Sequence, residues 1–304
     1  MPNDKANTNL TPSDSANVEN SPVVVSNDKQ SSTGNKSKNS SASSQMQLLG
    51  LAKQFVLDGS LLAPEKQMPL EDRARKRERV INLRRQQNLE AIIQKTVGYC
   101  SNNEVTDRAD QDWFNRFTVL AQDISNKTMQ ELWAKILAKE IAQPGSFSLK
   151  TLKAFRTMSI SEAKLLAKAC GLAVKDQHQK NVRIISGAYQ KPGLLNFFDK
   201  NREKRINNAT YGLSYAELMV LADNDLMFLQ ETESTALSKS SAINFNYNGI
   251  ALALSAKKND VVLSFYKFTP IGTELSALIG DKPDTEYVGE LKKQLSYHFA
   301  ISES

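Results

Sequence analysis

ISNKTMQELWAKILAKEIAQPGSFSLKTL, residues 124–152, carries the densest structural information in this chain of 304 residues. Met129, Leu132, Trp133, Ile136, Leu137 and Ile141 recur at helical spacing, and Ala134 and Ala138 leave room for another helix to come close. A helix with one buried face is expected. Ser125 supplies its cap, with Ile124 and Met129 placed to form a hydrophobic staple across it, and Pro144-Gly145 ends it. The device then repeats. Phe147 and Leu152 flank a Ser148 cap, which starts a second helix through Leu149, Leu152 and Phe155. A third starts at Ser159, where Glu162 completes a capping-box pattern, and stops near Gly171.

Upstream, residues 69–97 read as one long helix, opened by Pro69 with Glu71 and Asp72 in its first turn. Its first half is nearly all charge and its second half is amphipathic, so the opening turns are expected to project beyond the body. Arg73, Arg75, Lys76, Arg77, Arg79, Arg84 and Arg85 form the dense basic run of the chain. Guanidinium groups suit phosphate contact and release counterions from a polyanion. The competing reading is a solvated face laced by Glu71, Asp72 and Glu78, with no interleaved aromatics to stack on bases. Residues 107–123 add a helix with Trp113, Phe114, Phe117, Val119 and Leu120 inward. Trp113 and Trp133 are expected to meet in the core rather than to form a ligand platform. Between the tail and the basic helix, residues 46–62 make a short apolar helix expected to pack into the core. Lys53 is its sole basic residue, which disfavours a membrane-surface role.

The pattern breaks up over 173–208, with a short strand at 182–186 and a brief apolar helix at 194–198, and this reads as an irregular connection. Beyond it, residues 213–226 form a helix with Leu218, Leu221 and Ala222 inward. Asn248-Gly249 then declares a two-residue hairpin turn, which sets Tyr247 opposite Ile250, Phe245 opposite Leu252 and Ile243 opposite Leu254. A third strand is expected to place Leu263 against Leu254 and Phe265 against Leu252. Thr269 and Pro270 start a helix that covers the sheet, and residues 286–297 add a peripheral one. Helix, three-stranded meander and helix look like the end of a winged-helix module. Its 213–226 helix carries Glu217, Asp223 and Asp225 and no Lys or Arg, against direct base reading.

The run of Ile124-Ser125, Met129-Gln130, Leu132-Trp133-Ala134, Ile136-Leu137-Ala138, Glu140-Ile141, Pro144-Gly145-Ser146-Phe147-Ser148 and Thr151-Leu152 is joined upstream by Gln87-Asn88-Leu89-Glu90-Ala91-Ile92 and Trp113-Phe114. Over about residues 79–166 it resembles the bacterial domain-of-unknown-function family numbered 2806, with a weaker extension toward the C-terminus. It is more distantly similar to the abortive-infection alpha proteins of phage defence. The first likeness implies no activity; the second implies a place in phage defence. Asn126-Lys127-Thr128 stands where acidic residues are expected to complement the helix dipole.

The expected architecture is therefore mainly α with a small α+β C-terminal unit: a disordered Ser/Asn-rich tail (1–45), a helical body (46–172), the irregular connection (173–208) and a winged-helix-like unit (209–304). The net charge of +6 is compatible with an anionic partner. Cys100 and Cys170 lack CxxC spacing, and His178 and His298 lack partners at ligand spacing, so no disulfide framework, metal or cofactor is indicated. Asp123, Glu131 and Glu140 read as solvated positions or helix ends. No nucleophile elbow, Walker loop, dinucleotide fingerprint or HExxH is present, no leader is visible at the N-terminus, and no stretch has the length of a membrane span. The expectation is a cytoplasmic, non-enzymatic interaction or regulatory protein with a protein partner. The alternatives are nucleic-acid binding through residues 73–85, with a role in phage defence, and peripheral membrane association through 46–62. The sequence fixes no oligomeric state.

Overall fold

A computed structural model describes residues 43–100, 108, 110–178, 180–193 and 199–303. The tail expected over 1–45, apart from its last three residues, and the helix expected at 194–198 lie outside the described residues. The chain divides into Met1–Gly50 and Leu51–Ser304. Of the first unit, residues 43–50 are described, and they form most of α1 (Ser44–Gln54); the remaining elements belong to the second unit.

The helices form in the expected order: α2 (Leu70–Val97), α3 (Gln111–Ala121), α4 (Lys127–Ala142), α5 (Leu149–Thr157) and α6 (Ile160–Leu172). The cap of α4 is Asn126 rather than Ser125. Its Oδ1 accepts from the N–H groups of Thr128 (3.0 Å) and Met129 (3.1 Å), satisfying two amides that the helix leaves open. Ser148 caps α5 as expected, and Ser159 with Glu162 closes the capping box of α6. Trp133 is fully buried, edge-on to Phe117 of α3 at 5.3 Å and tilted against Phe155 of α5 at the same separation. The two tryptophans are core residues.

Glu140, expected at a solvated helix end, is instead 2% exposed. Its carboxylate accepts from the N–H groups of Gly145 (2.7 Å) and Phe147 (2.9 Å), while the Trp113 indole donates to the Phe147 carbonyl at 2.8 Å. Pro144-Gly145 turns the chain back, with Gly145 at φ +85°, and so aims these amides at the helix they have just left. The turn from α4 to α5 is thus held from inside.

The C-terminal half corrects the expected fold class. It is not a three-stranded appendage on a mainly helical protein. An eight-stranded antiparallel sheet runs through β1 (Val174–Asp176), β2 (Val182–Gln190), β3 (Glu203–Arg205), β4 (Thr232–Glu233), β5 (Ala242–Tyr247), β6 (Ile250–Ala256), β7 (Val261–Lys267) and β8 (Phe299–Glu303). The order is β4-β7-β2-β1-β5-β6-β8, with β3 beside β2. The hairpin register read from Asn248-Gly249 is the observed one, pairing Tyr247 with Ile250, Phe245 with Leu252 and Ile243 with Leu254. The third strand is elsewhere. Leu254 faces Ile301 of β8, while Leu263 and Phe265 face Ala188 and Ile185 of β2. The physical reason lies in β7: Val261 through Phe265 are all buried, so both faces are covered, and the strand takes partners on both sides, β2 and β4. Residues 173–208, expected as an irregular connection, supply β1, β3 and the nine-residue β2 at the middle of the sheet.

Three further helices follow: α7 (Tyr215–Asp223) beside α6, α8 (Pro270–Ser276) beside α5 and α6, and α9 (Thr285–Leu295) on β2, β3 and β8. The last is not peripheral, because Tyr287, Val288, Leu291 and Leu295 are buried and the Tyr287 hydroxyl donates to the Ile185 carbonyl. At α8, a Cβ on Gly272 would stand 1.9 Å from the Leu226 carbonyl oxygen, so only glycine lets the helix sit against that backbone. Glu274 of the same helix accepts from Ser148 N–H at 2.7 Å, joining α8 to the cap of α5.

His298 lies against this sheet, 2% exposed, with neither ring nitrogen hydrogen-bonded among the described residues. Burial is the main cause of its lowered pKa, Lys258, Lys204 and Lys257 add to the effect, and Asp199 opposes it. The ring therefore takes up a proton less readily in the fold than in the unfolded chain, where it binds one below about pH 6.5. Its contribution is complete above that pH and is lost as pH falls further. Urea unfolding at pH 7.5 and 5.5 is expected to show a loss of stability, at up to about 1.4 kcal/mol per pH unit, that His298→Gln removes.

Candidate functional site

The seven basic residues singled out in α2 do not share one environment. Arg84 stacks its guanidinium 4.2 Å from the centre of the Phe55 ring and donates to the Gln54 carbonyl at 3.0 Å. Arg85 pairs with Asp123 at 2.8 Å. Arg73 is half-buried and lines, with Arg77, a recess of about 660 Å³ against Val56, Leu57 and Gly59. Arg84 and Arg85 hold α2 to its neighbours, whereas Arg77 is exposed and forms no ion pair among the described residues. The other half of α2 is pinned in the same way, by Asn88 donating to Gln122 O (2.9 Å) and by the Lys95–Glu131 pair (2.6 Å) onto α4. Lys95 is the leading cause that holds the Glu131 carboxyl below its usual value, and Tyr99 adds to it.

The free part of the run is narrower than its sequence extent. Arg75, Lys76 and Arg79 are exposed, and spacings of three and four place them on one face of the helix. Arg75 pairs with Glu71 at 2.6 Å, but both side chains are about three-quarters exposed, so water screens that pair heavily. Lys76 and Arg79 form no ion pair among the described residues. The tail does not contribute to the surplus charge, because Lys5, Lys29, Lys36 and Lys38 balance Asp4, Asp14, Glu19 and Asp28. The +6 therefore belongs to the rest of the chain.

The segment leading into α2 departs from expectation. Core packing was expected for residues 46–62, yet Leu51, Leu57, Leu61 and Leu62 are exposed, as are Met68 and Leu70 beyond them. The surface that α2 turns toward this segment carries Arg84, stacked on Phe55, and Arg73, which lines the recess beside Val56 and Leu57.

A second concave feature had no signal in the sequence. Lys139 of α4, Lys175 of β1, Lys180 and Lys267 of β7 converge on a cleft of about 840 Å³. They are spread over well more than a hundred residues, and the separate elements meet only through the sheet order. Burial, with the nearby Lys175 charge second, pulls the Lys139 ammonium below its ordinary pKa.

Other reactive groups offer less. Cys170 is buried and its thiol is pushed up to about 12 by that burial, which makes it a poor nucleophile. Cys100 is exposed. Among the described residues no group of three or more His, Cys, Asp or Glu is arranged to hold a metal ion, and no helix is long and apolar enough to cross a membrane.

No curated protein and no solved structure matches the chain, so the likeness to the abortive-infection alpha proteins receives no support from them. The family model described as Protein of unknown function (DUF2806) matches residues 72–292, from the first turn of α2 into α9, and so takes in most of the sheet as well as the central helices. With well over half of its length covered by that match, the chain belongs to the DUF2806 family.

Proposed function

We propose that this is a cytoplasmic, non-enzymatic binding protein that engages the phosphate backbone of nucleic acid through the outer face of α2. The observation that carries this reading is the pair of exposed, carboxylate-free cations, Lys76 and Arg79, flanked by the weakly paired Arg75 on turns whose neighbours Arg84 and Arg85 are held in place. Cations on a helix that Arg84 and Arg85 already hold in place gain counterion release without first ordering the backbone that carries them. With no aromatic among residues 71–79, the strip reads charge and not base identity.

Charge reversal tests it. By fluorescence anisotropy with labelled duplex DNA, the variant R75E/K76E/R79E is expected to bind on the order of 100-fold more weakly than the parent at low salt. The variant K239E/K282E/K293E makes the same change in net charge elsewhere on the exposed surface and is expected to bind as the parent does. Equal loss in both would reduce the effect to overall charge.

The exposed Leu51, Leu57, Leu61, Leu62, Met68 and Leu70 favour a second reading, attachment to an anionic membrane surface with these side chains inserted and α2 facing the headgroups. Flotation with phosphatidylserine vesicles separates the two. The nucleic-acid reading expects the protein to stay at the bottom of the gradient, and co-flotation lost in L57E/L61E would replace it.

A further inference from the structure

The lysine cleft continues past its own rim. Phe228 and Pro270 line it and also line a neighbouring recess of about 700 Å³, which adds Lys150 and Lys153 of α5. The two hollows are therefore one groove with Phe228 at the saddle. Phe228 is 49% exposed, unusual for a phenylalanine whose backbone is fixed on both sides. Its N–H donates to the Lys267 carbonyl at 2.9 Å, and Thr269 N–H donates to the Leu226 carbonyl at 3.0 Å. Asp225, at φ +57°, turns the chain out of α7 to make this crossing. The ring is held out into the groove by ordered backbone.

The charge of the groove is one-sided. Lys139, Lys180, Lys267, Lys150 and Lys153 form no ion pair among the described residues, and Lys175 reaches Asp281 only at 3.6 Å, beyond hydrogen-bonding range. The two lining carboxylates, Glu274, which accepts from Ser148 N–H, and Asp225, are outnumbered by the six lysines. Lys139 and Lys175 are partly buried and close enough for one to depress the other's pKa, an arrangement that an anion between them relieves.

We infer that this groove binds single-stranded nucleic acid, with one base stacked on Phe228 and backbone phosphates on both sides of it, against Lys139, Lys175, Lys180 and Lys267 in one hollow and Lys150 and Lys153 in the other. Cations on both sides of the aromatic ring select the class. A mononucleotide carries phosphate on one side of its base and leaves one hollow unfilled, and a duplex keeps its bases stacked on each other and away from the ring. Lysines as point charges with a flat aromatic face between them are the parts of a sequence-tolerant single-strand site. This inference does not rest on the α2 reading, since no α2 residue lines the groove.

The test uses the full chain and anisotropy of a labelled twelve-nucleotide single strand, as DNA and as RNA, beside a duplex of the same length. The parent is expected to bind the single strand. Phe228→Ala is expected to weaken that binding by about 5- to 150-fold, the range for the loss of one base stack, and to leave duplex binding unchanged. Phe228→Trp is expected to retain it. K139Q/K267Q and K150Q/K153Q are each expected to weaken it and to flatten its salt dependence, because both hollows hold phosphate. R75E/K76E/R79E is expected to keep the Phe228-dependent difference between single strand and duplex. Far-UV circular dichroism and thermal unfolding show that each variant is folded before binding is compared. The proposal is overturned if the parent fails to bind the single strand, if Phe228→Ala binds like the parent, if only one lysine pair matters, or if a nucleoside monophosphate competes as well as the oligonucleotide.

Discussion

Trp133→Ala is expected to lower the stability of the protein by about 3–5 kcal/mol, seen as a shift of the urea midpoint with little change in slope. The indole is fully buried and is the residue through which three helices meet, edge-on to Phe117 of α3 and tilted against Phe155 of α5 while standing on α4. Removing it opens a cavity bounded by rings that cannot all move inward. Trp133→Phe separates packing from polarity. The indole nitrogen has no hydrogen-bond partner among the described residues, so Phe forfeits volume and no hydrogen bond, and about half of the loss is expected. A Phe variant as unstable as the Ala variant would mean that the indole nitrogen has a partner after all.

Glu140→Ala is expected to cost about 3 kcal/mol by the same measurement. Its carboxylate accepts two backbone N–H groups at 2.7 and 2.9 Å, and one of them belongs to Phe147, which is 1% exposed. Without an acceptor that amide is buried unsatisfied, and the turn that places Phe147 in the core is released with it. Glu140→Gln tests the geometry. An amide side chain presents one acceptor and one donor to two donors, so it is expected to recover less than half of the loss. Full recovery would show that one hydrogen bond holds the turn.

How far the sequence could be read depends on how local each signal is. The Ser148 cap and the Ser159–Glu162 capping box act within four residues, and each is formed. Asn248 and Gly249 both adopt positive φ, so one dipeptide sets a six-pair register. Asn126 took the cap expected of Ser125 because either side chain can accept, and its position lets one oxygen serve two amides. The role of Glu140 was hidden for a different reason. A carboxylate late in a helix is ordinarily solvated, and the amides that it binds become available only after Pro144-Gly145 has reversed the chain.

The sheet is less legible because strand pairing is a decision between distant segments. β2 carries Ser186-Gly187-Ala188 in its middle, where the apolar alternation breaks and the pairing with β7 shifts register. That stretch looks like a loop until β7 and β3 pair with it on either side. β8 lies at the C-terminus, and nothing in the composition of Phe299–Glu303 announces β6 as its neighbour. The candidate sites divide in the same way. The basic run of α2 was visible because it is contiguous, although only the structure tells Arg84 and Arg85, which hold the fold, from Lys76 and Arg79, which are free. The lysine groove was invisible because its members come from five separate parts of the chain.

If α2 presents free cations to a phosphate backbone, the salt dependence of duplex binding reveals it most directly. Anisotropy titrations of duplex DNA across a range of salt concentration give the slope of log K against log salt for the parent, for Lys76→Gln, for Arg79→Gln and for the exposed control Lys282→Gln. Each of the two α2 substitutions is expected to make the slope shallower by about 0.9, the share of one phosphate no longer neutralised, while the control leaves it in place. A slope identical in all four proteins would contradict phosphate binding by this face and return α2 to the role of a solvated helix.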